Sequence, residues 1–237
     1  MTSRIILQLR TELKANADEK TKLSAQKFFK EKINFYGVKT ATVHRIAEKH
    51  WKQAEPQSKQ EIFDLCGELF ASGIIEESFV VSDWLPNIVD RLDPSDLVTF
   101  KVWIEKYVDN WASCDSLCNH TIGDLITKYP DLVLEVKTWA KSSCRWLKRA
   151  AAVSLILPAR KGNFLQEAFE ISDALLLDGD DLVQKGYGWL LKEESRLHQK
   201  EVFDYVVLNR KVMPRTALRY AIELLPKELK AEAMKKS

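Results

Sequence analysis

Turn-forming residues are scarce in this chain: 8 glycines and 7 prolines in 237 residues. So few cannot punctuate the many short strands of a β-sandwich or barrel. Long stretches rich in Leu, Ala, Lys and Glu favour helix instead. No apolar run approaches the roughly 18 residues a membrane-spanning helix needs. The opening Met1-Thr2-Ser3-Arg4-Ile5-Ile6 is too short in apolar residues for a signal peptide, and Glu12 follows soon after. A cytoplasmic protein is expected, with Cys66, Cys114, Cys118 and Cys144 as reduced thiols in or near the core. There is no Walker loop, G-x-S-x-G, H-E-x-x-H or dinucleotide fingerprint. Cys114, Cys118, His120 and Cys144 match no standard zinc spacing, and Cys114 and Cys118 are simply one helical turn apart. Neither a metal nor another cofactor is expected.

Charge is nearly balanced overall, with 36 Lys/Arg against 34 Asp/Glu and a net +2, but it is unevenly placed. Residues 1–100 hold 14 basic and 15 acidic side chains, residues 101–163 hold 10 and 6, and residues 164–237 hold 12 and 13. Within the basic middle, residues 141–161 contain Lys141, Arg145, Lys148, Arg149, Arg160 and Lys161 and no acid. Such a stripe is either a solvated helix face or the footprint of a polyanion.

Apolar residues recur with a 3.6-residue period almost everywhere. In 130–141 they are Leu132, Val133, Val136 and Trp139; in 163–177 they are Phe164, Leu165, Ala168, Phe169 and Ile171. The pattern predicts helices near 3–15, 20–34, 40–53, 57–72, 75–91, 94–108, 115–128, 130–141, 143–157, 163–177, 180–193, 198–209, 214–224 and 226–235. Ser58 with Glu61 reads as a capping box, and Asp93-Pro94 as an N-cap followed by proline at the first helical position. Gly37, Gly162-Asn163 and Asp178-Gly179-Asp180 mark turns. Each helix has one apolar stripe to bury against neighbours. The expected fold is all-α, one domain over 1–237, an α-solenoid of stacked HEAT-like helix pairs with a concave face.

Three segments stand out: Asn110-Trp111-Ala112-Ser113-Cys114-Asp115, Trp146-Leu147-Lys148-Arg149-Ala150-Ala151 and Gln184-Lys185-Gly186-Tyr187-Gly188-Trp189. They recur at roughly the 35- to 40-residue spacing of two-helix repeats. Equivalent helices of such repeats line one surface, so a carboxylate, a guanidinium and two indoles are expected to share a cleft. Asp115, at the expected start of helix 115–128, reads as an N-cap or as a catalytic carboxylate kept ionised by the helix terminus. Arg145, Lys148 and Arg149 share a helix region without acids, which suits a phosphate partner. Trp189 and Tyr187 read as core aromatics, or Trp189 as a cation-stabilising wall paired with Trp111. Gly186 and Gly188 lower helix propensity and imply the close approach of a neighbour.

This ordered trio, W-x-x-x-D, then W-L-x-R-A-A, then Q-K-x-x-G-W, resembles the HEAT-like-repeat DNA alkylation-repair family, the AlkD-type DNA glycosylases. The likeness extends from about Phe28 to Arg219. It implies excision of positively charged alkylpurines such as 3-methyladenine and 7-methylguanine from double-stranded DNA, without flipping the base into a pocket. It also implies a catalytic group of Asp115, Trp111 and Trp189, with the two indoles at the lesion's deoxyribose. Arg149 falls at the adjacent phosphate, and Arg145, Lys148, Lys185 and Phe28 complete the expected DNA-binding set.

Two features depart from the family pattern. Ala112 and Asn110 stand where the active enzymes have an acid and a second tryptophan beside the motif, and Phe28 falls where they have a tyrosine. Divergent members keep the fold and DNA binding without this activity, some preferring branched DNA. The alternatives are therefore a monomeric glycosylase, a non-catalytic binder of branched or distorted DNA, and a helical-repeat scaffold for another protein. The acid-free stripe speaks against the last.

Overall fold

A computed structural model of the chain describes residues 3–235. Met1 and Thr2, which head the segment weighed as a signal peptide, lie outside the described residues, as do Lys236 and Ser237. Among the described residues every regular element is helical, and the one β-type contact is an isolated bridge between Asn34 and Ile74. No helix of the described residues is long and apolar enough to cross a membrane. The chain divides into two compact units, residues 1–117 and 118–237.

The first unit contains α1 (Arg4–Ala15), α2 (Glu19–Gln26), α3 (Thr40–Ala54), α4 (Lys59–Ala71), α5 (Ile75–Trp84), α6 (Asp96–Tyr107) and α7 (Trp111–Ser116). Helices α1, α3, α5 and α7 pack in succession, and α4 packs on α5 and α6. Helix starts follow local chemistry. Ser3 and Asp18 accept the N–H groups of Ile5 and Thr21, and Ser58 and Glu61 form the expected capping box. The core gathers Ile6, Leu9, Val43, Ile46, Ile62 and Phe70, each buried side chain contributing roughly 1.5–3 kcal/mol. Trp84 is fully buried and its indole N–H donates to the Ala47 carbonyl at 2.9 Å, so its one polar atom is satisfied.

In the first unit three expected helices end or break differently, and in the second the 130–141 helix opens with a 3-10 turn at Pro130–Leu132 and the 143–157 helix is split into Arg145–Val153 and Ile156–Ala159. The 20–34 helix stops at Gln26. Its side chain donates to the Glu31 carbonyl at 2.8 Å and accepts from the Ile33 N–H, replacing the bonds that would have continued the helix. The following strap returns to α2 at Gly37, whose φ of 96° and proximity to Asp18 exclude a side chain. The 75–91 helix becomes a 3-10 segment at Leu85–Arg91 because Pro86 cannot continue the α-helical bonding. Near Asp93-Pro94, α6 starts two residues later, and Asp93 instead accepts the Ser95 N–H at 2.9 Å.

The second unit contains α8 (Gly123–Lys128), α9 (Val133–Trp139), α10 (Arg145–Val153), α11 (Ile156–Ala159) and α12 (Leu165–Leu175). It continues with α13 (Asp181–Glu194), α14 (Gln199–Asn209), α15 (Arg215–Ala221) and α16 (Lys227–Ala233). Helix α13 is its centre, packed by α10, α11, α12 and α15; α9 packs on α10 and α12, and α14 on α16. Asp180 caps α13 by accepting the N–H groups of Leu182 and Val183.

Candidate functional site

Asp115 is not the start of a helix. Asn110 caps α7 instead: its amide oxygen accepts the Ser113 N–H at 2.9 Å while its N–H₂ donates to the Ser113 hydroxyl at 3.0 Å. Asn110 has the better cap geometry, so Trp111 becomes the first helical residue and Asp115 lies a turn further in. The expected N-cap role for Asp115 is thereby corrected, and the helix-terminus field acts on it weakly, since that field fades within the first turn. What α7 does is place Trp111 and Asp115 at i and i+4, on one helix face. Both are half-buried. The π-helical segment Leu117–Ile122 follows directly, a deformation frequent at functional sites.

Trp111 belongs to an aromatic cluster of the first unit. Its ring stacks on Phe29 with centroids 5.4 Å apart and planes at 21°, and Phe35 and Phe79 pack beside them over Ile33, Ile75 and Ala112. A cavity of about 370 Å³ opens there, and Phe28 stands at it, 74% exposed. The strap 27–38 and α7 thus bring Phe28 and Trp111 to one cavity, and Asp115 lies one helical turn along α7 from Trp111. Phe29, Phe35 and Phe79 were not among the expected site residues; the aromatic repeat Phe28-Phe29 with Phe35 was the available signal. The strap is held by two buried acids. Glu76 accepts the N–H groups of Tyr36, Gly37 and Val38 at 3.1, 2.8 and 3.0 Å. Glu77 accepts a two-oxygen contact from Arg10 and the Tyr36 hydroxyl at 2.6 Å. Burial and that hydrogen bond push the Tyr36 phenol well above its usual range.

In the second unit, α10 carries Arg145, Lys148 and Arg149, and α13 carries Lys185 and Trp189. The stripe is acid-free in sequence but not in space, which corrects the inference that only an outside anion could pair it. Arg145 pairs with Asp180 at 2.8 Å, Lys148 with Asp178 at 2.7 Å and Arg160 with Glu193 at 2.8 Å. Lys185 pairs with Asp181 at 3.1 Å. The acids come from the turn before α13 and from α13 itself, packed on α10. Burial raises the Asp178 carboxyl, and the Lys148 ammonium and the Asp180 N–H outweigh it, leaving it below the usual carboxylate range. Arg149 is only 5% exposed and donates to the Leu182 carbonyl, tying α10 to the start of α13.

The glycines of the third segment have the expected cause. A Cβ on Gly186 would meet Arg149 Cγ at 3.4 Å, and one on Gly188 would lie 2.7 Å from the Ala217 carbonyl of α15. Tyr187 is fully buried, donating to the Leu176 carbonyl at 3.3 Å, so it is a core residue. Trp189 is half-buried, and its indole N–H donates to Glu193 at 3.1 Å. Cys66, Cys114 and Cys118 are buried thiols outside any disulfide, and Cys144 is half-buried. Among the described residues no group of three or more His, Cys, Asp and Glu side chains is gathered as metal ligands.

Stacked helix pairs with a carboxylate and indole on one short helix and a row of cations on another define an all-α helical-repeat protein of the α-solenoid class. The chain belongs to the DNA alkylation repair enzyme family, whose model matches residues 9–225. A solved structure of a predicted DNA alkylation repair enzyme from Enterococcus faecalis has the same fold, with a TM-score of 0.80, 16% sequence identity, and coverage of 90% of this chain and 98% of that one. No curated protein matches the sequence.

Proposed function

We propose that this protein is a monomeric, cytoplasmic DNA glycosylase that hydrolyses the N-glycosidic bond of positively charged alkylated purines, 3-methyladenine and 7-methylguanine, in duplex DNA without base flipping. The observation that supports it most is the pairing of Trp111 and Asp115 on one face of the capped helix α7. A cationic base leaves with the bonding electrons as a neutral purine, so no general acid is required. The sugar left behind develops oxocarbenium character. Asp115 stabilises that charge and accepts the proton of the attacking water, a preorganised electrostatic role. Trp111 and Trp189 contribute their π faces to the cationic sugar. Arg149 is buried and already donates to the Leu182 carbonyl, so only the exposed edge of its guanidinium is assigned the neighbouring phosphate; Arg145, Lys148, Lys185 and Phe28 are assigned the flanking DNA.

The test is single-turnover release of 7-methylguanine from methylated duplex DNA. Wild type releases the base and Asp115→Asn loses about 10²–10³ in rate while still binding DNA. Equal rates for the two proteins would remove Asp115 from the chemistry. Ala112, in the place of the active enzymes' acid or second tryptophan, favours a second reading: a non-catalytic binder of branched or distorted DNA. That reading holds if neither protein releases the base and both bind DNA.

A further inference from the structure

The aromatic cavity of the first unit shares Trp111 and Phe28 with the proposed excision site, but its remaining walls have no task there. Its walls are Phe28, Phe29, Phe35, Phe79, Trp111 and Ile75, and at about 370 Å³ it lies within the roughly 300–1,000 Å³ range of small-ligand sites. It is not a packing defect, because its wall is built rigidly. Glu76 takes three successive backbone N–H groups of the strap, and Phe29 is stacked flat on Trp111. One wall residue is left in solvent: Phe28, at 74% exposure, offers a bare ring face beside the opening. A single exposed apolar side chain is ordinary on a protein surface, but this one stands at the mouth of an aromatic cavity, where its ring can stack on what enters.

The surroundings state what kind. Residues 20–39 carry six lysines and one acid, Glu31. In sequence, Lys27 directly precedes Phe28 and Lys39 falls between the cavity residues Val38 and Thr40; both are exposed, and Lys39 also feels the charge of Asp18. Flat aromatic walls with cations beside them are how proteins hold unstacked bases: the ring stacks and the phosphates on either side meet the cations. We propose that this cavity binds one unstacked nucleobase of DNA, stacked against Phe28 and the Phe29–Trp111 wall, with Lys27 and Lys39 on the flanking phosphates. The inference rests on the DNA reading above and adds to it a place for an unpaired base, one helical turn from the carboxylate that acts on the sugar.

The experiment is fluorescence anisotropy of the full chain with three labelled DNAs: a flush duplex, the same duplex with a single bulged adenine, and the same bulge carrying an abasic residue. The two bulges distort DNA alike and differ only in the base. Wild type should bind the adenine bulge about tenfold more tightly than the abasic one. Phe28→Ala should bring that ratio close to one, and Phe28→Trp should keep it, since indole stacks as well as phenyl. An exposed side chain can be changed in this way without disturbing the core. A ratio near one for wild type, or an unchanged ratio in Phe28→Ala, overturns the site. If the flush duplex is bound and the ratio is one, the site alone falls; if no DNA is bound, the DNA reading falls and takes the site with it.

Discussion

Gly186 and Arg149 are fitted to each other: a Cβ at position 186 would lie 3.4 Å from Arg149 Cγ and 3.8 Å from its carbonyl oxygen. The missing side chain on α13 is the space the arginine stem occupies on α10. Gly186→Ala is therefore expected to be nearly neutral, because a helix-propensity gain of about 1 kcal/mol offsets a small adjustment. Gly186→Leu would displace Arg149 and should cost about 1–3 kcal/mol. Gly188→Ala makes the contrast, since its Cβ would lie 2.7 Å from a backbone carbonyl and 2.8 Å from Tyr220 Cβ. It should destabilise by about 1–3 kcal/mol despite the better propensity. Urea unfolding of the three variants checks the order.

The acids that pair the cationic row compete with any phosphate. Asp178→Asn and Asp180→Asn each remove a negative charge, and asparagine still accepts the local N–H bonds and caps α13. If Arg145 and Lys148 contact phosphate, the double variant should bind duplex DNA several-fold more tightly at low salt, each half-exposed pair being worth about 0.2–1 kcal/mol. Arg149→Ala should lower the salt dependence by about one phosphate contact. Anisotropy titrations at several salt concentrations read both, and an affinity unmoved by either change would take this face off the DNA.

The 3.6-residue period made the helical fold legible, as did caps such as Ser58 with Glu61, because both signals lie within one helix. What lay between elements was not. Nothing in Arg145-Trp146-Leu147-Lys148 announces Asp178 and Asp180, whose partners are some 30 residues away in sequence and one helix away in space. The end of α2 at Gln26 depended on a side chain taking over backbone bonds, and the strap on Glu76, an acid that reads as surface until its three N–H partners are seen. The Trp111-x-x-x-Asp115 spacing did place both residues on one face, but the competing cap strength of Asn110 moved the helix start by a turn.

Glu194 on α13 is fully buried and neither carboxylate oxygen has a hydrogen-bond partner. Burial, with the nearby charge of Glu167, pushes its carboxyl from 4.5 up to about 8; His198 stands 4.0 Å away. Below about pH 4.5 the group is protonated folded and unfolded, and costs nothing. As pH rises, the unfolded chain releases the proton while the folded one retains it, so stability falls by up to about 1.4 kcal/mol per pH unit until about pH 8. Glu194→Gln should then match wild type near the acid end of this window and exceed it by a few kcal/mol near the alkaline end. Thermal or urea melts of both proteins across the window measure the divergence; parallel curves would mean that Glu194 finds a partner when it ionises.

The charge of the leaving base is what the proposed chemistry depends on. With Asp115 on the face of α7 that carries Trp111, the residues offer electrostatic help to a cationic sugar and nothing that activates a neutral base. 7-Methylguanine and 3-methyladenine should be released from duplex DNA, and uracil should not, at any pH where the protein is folded. Trp111→Ala and Trp189→Ala should slow release by about 2- to 30-fold each, since a cation–π contact is worth about 0.5–2 kcal/mol. Both effects should fall below the loss in Asp115→Asn, because a full charge facing the developing cation outweighs a ring quadrupole. Trp111→Phe should recover part of the rate, its ring still able to stack on Phe29. Single-turnover rates on the three lesions decide it: release of uracil at a comparable rate would require an acid that this reading does not contain.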